Sequence, residues 1–214
     1  MRIIEDITRE LSDLPGEQAH KDMIPFRLTA SEALKTPINY KQSAVMILLY
    51  PQQDELHFIL TQRQDYDGKH SGQISLPGGK SEPEDGTTRV TALRETHEEI
   101  GVPPGDVSIL GQLTDVYIPV SNFLIHPYVG FIPTNPELVP DPREVKSVLR
   151  CAADDLLREE SKTLTKIQLK NGVWMRDIPA FQLEEKIVWG ATAIILNEFK
   201  MILKRLNLKE NIRD

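Results

Sequence analysis

The sequence predicts an α/β chain folded as an α/β/α sandwich, a mixed sheet with helices on both faces. Three observations carry that expectation. Short apolar runs of strand character alternate along the chain with segments of helical periodicity, rather than gathering in one half. Turn signals built on Gly, Pro and Asn separate them, Asn171-Gly172 being a strong one. Near the C-terminus, Ile194, Ile195, Phe199, Ile202, Leu203 and Leu206 recur at the spacing of a helix that lays one apolar face on a sheet.

In chain order, Ile3, Ile4, Ile7 and Leu11 mark an amphipathic helix over residues 3–13, ending before Pro15-Gly16. Residues 14–42 are polar and loop-rich, with a short helix expected at 30–34. Residues 43–50 and 56–63 read as a β-hairpin around a turn at 51–55. Ile74-Ser75-Leu76 reads as a strand end, Pro77-Gly78-Gly79 as a glycine turn, and the following segment as a helix. Thr87 or Thr88 can cap that helix, Val90, Leu93 and Ile100 would form its buried stripe, and Gly101 suits its left-handed C-terminus. Strands are expected at 107–117, 124–132 and 146–153, then a short helix at 154–160 and a hairpin of 163–169 with 173–176. Residues 1–42 read as a helical and loop extension packed on a core domain at 43–207, and the amphipathicity of the extension suggests a homodimer.

Composition narrows the function classes. A chain of 214 residues buries a sizeable core. A net charge of −7 without a basic stripe argues against a nucleic-acid partner. No apolar run reaches membrane-spanning length, the N-terminus is charged too early for a signal peptide, and the single Cys151 suits a reducing cytoplasm.

The most informative stretch is Arg94-Glu95-Thr96-His97-Glu98-Glu99. At about 3.6 residues per turn, Glu95 and Glu99 share a helix face and Glu98 borders it. Charge patterning alone reads such a run as a solvated face. The glycine turn and the acidic loop before it, with Glu82, Glu84 and Asp85, point instead to a site where divalent cations offset the repulsion. Oxygen-only ligands favour Mg²⁺ or Mn²⁺. His97 is turned off that face and reads as an exposed spacer, and His126 as a satisfied strand histidine.

These residues resemble the signature of the Nudix hydrolases: Gly79, then Asp85 at the acid position, then Arg94, Glu95, Glu98, Glu99, Gly101 and Val102. The spacer from Asp85 to Arg94 is one residue longer than the general pattern, and Thr96 stands where an apolar residue is usual. The longer spacer, in the form PGGKxxPxDxxxxxTALRExxEE, is similar to the coenzyme A pyrophosphatase branch. Ile59-Leu60-Thr61 with Arg63, Gly72 with Pro77-Gly78-Gly79, Pro142-Arg143-Glu144-Val145 and Ile187 to Ala193 extend the likeness across residues 43–203. That branch places an arginine where this chain has Gly68, with Lys69 and His70 adjacent, and an aromatic where it has Leu76.

The resemblance implies a Nudix-type sandwich and metal-dependent cleavage of a small nucleotide substrate: coenzyme A or an acyl derivative, or another nucleoside diphosphate derivative such as ADP-ribose. A non-catalytic nucleotide sensor is the remaining class. It assigns Mg²⁺ or Mn²⁺ to Glu95, Glu99 and Glu98 with the Gly79 carbonyl, and places Glu98, Glu95 and Arg94 in the catalytic apparatus, with Arg94 orienting a carboxylate. Arg63, Lys69, Gly78 and Lys80 are the expected substrate contacts. The general base stays open between Glu98, Glu95 and a loop elsewhere in the chain.

Overall fold

The computed structural model describes residues 2–23, 29–35, 39–65, 72–168, 172 and 174–206. Gly68, Lys69, His70 and Asn171 lie outside the described residues.

The main sheet is built on β1 (Lys41–Gln52), which runs parallel to β7 (Phe123–Phe131) and antiparallel to β2 (Glu55–Arg63). The sheet is therefore mixed, as expected. β5 (Ser108–Gln112) and β6 (Val116–Ile118) pair with β7, and β8 (Val145–Ala152) with β2. β1 changes partner along its length: Leu49 to Gln52 pair with β2, whereas Ser43 to Val45 pair with β4 (Gly78–Lys80). Where β1 has left it, β2 takes β3 (Ile74–Ser75) at Thr61 and Gln62. The chain from β3 to β4 thus fills the fork between β1 and β2, and the Gly-Gly segment expected as a turn is a short strand in that fork.

Side chains of β1 alternate between two cores, as period two requires. Ala44, Met46, Leu48 and Tyr50 face the helix α4 (Thr88–Ile100), with Ala92, Ile100 and Val102. Ile47 and Leu49 face the other way, toward Ile194, Ile195, Leu196 and Phe199 of the last helix. In chain order the remaining helices are α1 (Arg2–Glu10), α2 (Glu17–Lys21), α3 (Ala30–Ala33), α5 (Ala153–Leu157) and α6 (Ala191–Arg205). Helices thus cover both faces of the sheet. None of the described helices is long and apolar enough to cross a membrane.

Several boundaries differ from expectation for physical reasons. The strand read over 107–117 is broken at 113–115, where Thr114 donates its backbone N–H and hydroxyl to Glu198 of α6 instead of to a neighbouring strand. α2 interrupts the stretch read as mostly loop, and α3 opens with a capping box between Thr29 and Glu32. The C-terminal hairpin is longer than expected. β9 (Lys162–Gln168) pairs with β10 (Trp174–Leu183), and β11 (Lys186–Trp189) adds a third strand. The link between β10 and β11 is Glu184-Glu185, both at positive φ, a conformation that usually calls for Asn or Gly. α1 buries Ile7 completely against the core that includes α6, with Ile3 and Ile4 partly buried beside it.

Candidate active site

The site is organised by α4 and the loop that feeds it. Thr87 caps the helix by accepting from the Val90 N–H, and Gly101 ends it in the left-handed region at φ 76°. The stripe facing the sheet is Thr91, Ala92, Thr96, Glu99 and Ile100. Val90, expected there, is 44% exposed, because a helix starting at Thr88 turns it outward. Thr96 tolerates burial at its usually apolar position because its hydroxyl donates back to the Ala92 carbonyl at 2.6 Å.

Arg94 is the organiser. Its Nε and Nη2 form a fork on Asp85 at 2.8 and 3.0 Å. Nη1 reaches Glu95 at 2.9 Å and Glu98 at 2.7 Å, and Nη2 also donates to the Lys80 carbonyl at 3.0 Å. Its donors are thus committed within the protein, which suits a positioning role. Asp85, itself buried, accepts further from Thr91 Oγ1 and the Glu82 N–H. The Arg94 guanidinium above all holds the Asp85 carboxyl well below the usual carboxylate range. The one-residue-longer spacer is therefore closed by a paired fork, not left as slack.

Glu95 and Glu99 differ from Asp85. Burial pushes Glu95 up despite its Arg94 partner. Glu99 is 3% exposed, and burial raises its carboxyl to about 8. Its Oε2 is buried with no hydrogen-bond partner among the described residues, and the nearest cation, Arg63 Nη1, stands 3.9 Å from Oε1. Gly79 explains why Glu95 fits at all. A Cβ on Gly79 would lie 2.5 Å from Glu95 Cδ and Oε2, so the residue is glycine to let a carboxylate approach the backbone, not to make a turn. A Cβ on Gly78 would lie 2.3 Å from the Ala44 carbonyl oxygen, a constraint from strand pairing.

Of the residues singled out from sequence, α4, β4 and the end of β2 bring Glu95, Glu98, Glu99, Arg94, Gly78, Gly79, Lys80 and Arg63 into one region. Lys69 falls outside the described residues. Glu98 is turned back onto Arg94 and remains largely exposed. No three His, Cys, Asp or Glu side chains among the described residues are already gathered as a metal cage. The donor chemistry nonetheless suits a hard divalent cation: an all-oxygen set, crowded carboxylates and a buried carboxylate oxygen that lacks a partner. His97 is exposed, as expected. His126 is satisfied by Asp115 at 2.9 Å and by Gln42. Cys151 is buried, and burial pushes its thiol well above the ordinary range.

Sequence spacing did not single out Glu144 as a member of this group. The segment before β8 is tied to the end of α4 by Val139 N–H to Ile100 O at 2.9 Å and Asp141 N–H to Glu99 O at 3.0 Å. This brings Glu144 close enough that its charge raises both Glu95 and Glu99. Only the Pro142-Arg143-Glu144-Val145 likeness pointed to this segment, and it gave no role.

The sheet, the glycine approach and the carboxylate helix define a class, and comparison with known proteins agrees. The NUDIX domain pattern matches residues 40–170. The chain is 32% identical over 171 residues to a Yersinia enterocolitica protein described as an uncharacterized Nudix hydrolase, NudL, covering 80% of this chain and 86% of that protein. It is 31% identical over 179 residues to the NudL of Enterobacter sp. (strain 638), covering 82% and 90%. Among solved structures, a MutT/nudix family protein from Enterococcus faecalis superposes with a TM-score of 0.53 at 20% identity, covering 88% of this chain and 74% of that one. The chain belongs to the Nudix family. It is a Nudix pyrophosphohydrolase, of the kind that acts on nucleoside diphosphate derivatives and generally uses divalent cations.

Proposed function

We propose that the protein cleaves the diphosphate of coenzyme A or an acyl-coenzyme A, giving 3′,5′-ADP and the corresponding 4′-phosphopantetheine, with Mg²⁺ or Mn²⁺. The observation that carries the reading is Glu99, a buried carboxylate with an unpartnered oxygen, one helical turn from a Glu95 seated against Gly79. Glu95 and Glu99, with Glu98 and the Gly79 carbonyl, would hold the cations. When bound, these would offset phosphate charge, favour ionisation of the attacking water and align attack with departure. Arg94 fixes the rotamers of Glu95 and Glu98 and ties them to Asp85. Glu98, the most exposed of the three although paired with Arg94, would take a proton from the attacking water, with Glu95 as the alternative. Arg63, Lys80 and the Gly78 backbone, together with Lys69, would meet the substrate phosphates.

The coenzyme A preference is supported by the Asp85–Arg94 fork, which makes the longer spacer a built feature. Hydrolysis of another nucleoside diphosphate derivative such as ADP-ribose is the second reading, favoured by Gly68 where the branch would have an arginine. Product analysis with coenzyme A, ADP-ribose and NADH, each with Mg²⁺ or Mn²⁺, separates them. Release of 3′,5′-ADP from coenzyme A is expected. Turnover of ADP-ribose without coenzyme A turnover would select the second reading, and turnover of none would leave a nucleotide sensor. We also read residues 1–42 as an extension of the 43–207 domain, and the protein as cytoplasmic.

A further inference from the structure

Arg63 occupies an unusual position for a substrate contact. It is the last residue of β2, where the pairing with β8 shifts register between Gln62 and Arg63. Its backbone is held by the Gln73 carbonyl at 3.0 Å. Its guanidinium points to Glu99, but Nη1 stops 3.9 Å from Oε1, too far for a hydrogen bond. Its Nε is buried with no partner among the described residues, as is Glu99 Oε2. A guanidinium and a carboxyl thus face each other and neither saturates the other.

Their surroundings explain why the pair is nevertheless stable. Glu95 and Glu144 add negative charge to Glu99, and Arg94 is committed to Asp85, Glu95, Glu98 and the Lys80 carbonyl. Among the described residues Arg63 is the cation set against the buried end of this cluster, and with 32% of its side chain exposed it has a path toward solvent. A guanidinium is also the side chain best shaped to grip a phosphate.

Resting on the hydrolase reading above, we propose that Arg63 is an exchangeable counter-cation. It stands against Glu99 in the metal-free protein and swings to the substrate's phosphate once a divalent cation takes over the carboxylate. Arg63 and the cation then compete for Glu99, while the cation and a phosphate ligand bind cooperatively, a coupling that must be reciprocal. A plain phosphate contact would not compete with the metal, and a purely structural ion pair would not engage phosphate.

The test uses the intact protein without substrate. Mn²⁺ binding, followed by electron paramagnetic resonance, is measured for wild type, Arg63→Gln, Arg63→Lys and Glu99→Gln. AMP, a weak chelator, then probes phosphate binding to the Mn²⁺-loaded forms. Arg63→Gln should bind Mn²⁺ more tightly, on the order of ten-fold for coupling between neighbouring charges, and should bind AMP more weakly. Arg63→Lys, which keeps the charge, should leave Mn²⁺ affinity near wild type, and Glu99→Gln should weaken it. Mn²⁺ affinity equal to or below wild type in Arg63→Gln overturns the proposal alone, as does unchanged AMP binding. If neither wild type nor Arg63→Gln takes up Mn²⁺, the metal-dependent reading falls and the proposal with it.

Discussion

Two helices each bury a glutamate, and the two residues have opposite fates. Glu198 of α6 is fully buried, and it accepts from the Gly16 N–H at 3.0 Å, His20 Nε2 at 3.1 Å, the Thr114 N–H at 3.1 Å and Thr114 Oγ1 at 2.7 Å. Burial pushes its carboxyl up, but the hydrogen bonds from His20 and Thr114 outweigh it and hold it below the usual value. Glu99 of α4 is 3% exposed and keeps an unpartnered oxygen, and burial carries its carboxyl to about 8. The same side chain at the same depth is a fastening in one helix and a carboxyl with an open oxygen in the other. A buried polar atom left without a partner is costly, so the open Oε2 of Glu99 suits a group that something outside the described residues completes. Glu198 already has its partners, and they join the N-terminal segment and the β5–β6 loop to α6.

Removing each carboxylate should therefore do different things. Glu99→Gln should lower turnover on the order of 10³-fold, the scale of losing a preorganised charge-stabilising group, with the melting temperature unchanged or raised. A wild-type rate would remove Glu99 from the site. Glu198→Gln should cost about 3 kcal/mol, since an amide presents donors where donors already converge. The folded variant should keep its rate per molecule. Differential scanning calorimetry beside initial rates distinguishes the two, and an active-site defect in Glu198→Gln would break the contrast.

The contrast was only half visible in the sequence. Glu95 and Glu99 could be placed on one face because helical spacing is local. So could the cap at Thr87 and the left-handed Gly101, since both depend on a few neighbouring residues. The role of Gly79 could not be read this way: its lack of a side chain answers Glu95, which approaches from another element. Glu198 carries no local signal of its role, because its partners come from residues 16, 20 and 114. The same holds for Glu144, placed by backbone bonds between residues 139–141 and the end of α4. β11 went unseen because Glu184-Glu185 carries no turn signal. Local periodicity reveals which side chains share a face, whereas what meets that face depends on contacts distant in sequence.

The two carboxylates should also impose opposite pH dependences on stability. The folded state raises Glu99 from 4.5 to about 8, so it favours the protonated form. Below pH 4.5 both folded and unfolded chains hold that proton and nothing is lost. From there to about pH 8 the unfolded chain releases it first, and the metal-free protein loses up to about 1.4 kcal/mol per pH unit from this group. Glu198 is lowered from 4.5, so its contribution is present above pH 4.5 and is lost as pH falls below that. Urea unfolding of the metal-free protein between pH 5 and 8 should show a decline that Glu99→Gln removes and Mg²⁺ or Mn²⁺ flattens. A decline that persists in Glu99→Gln would assign the slope to another group.

The finest test takes one donor from the satisfied carboxylate. Thr114→Val keeps the shape of the side chain and the backbone N–H bond to Glu198 Oε2, and removes only the hydroxyl that donates to Oε1 at 2.7 Å. Gly16 and His20 still face the carboxylate, so the charge is not left bare. A hydrogen bond to a charged group is worth about 1.5–3 kcal/mol, and the remaining donors should hold the loss near the lower end, about 1.5 kcal/mol. In a chain of this size that lowers the melting temperature by roughly 3–6 °C, with the turnover number unchanged. If Thr114→Val costs as much as Glu198→Gln, the hydroxyl alone carries the fastening and the other donors are incidental. If it costs nothing, the low carboxyl pKa rests on His20 and the backbone, and Glu198 resembles Glu99 more closely than its donor list implies.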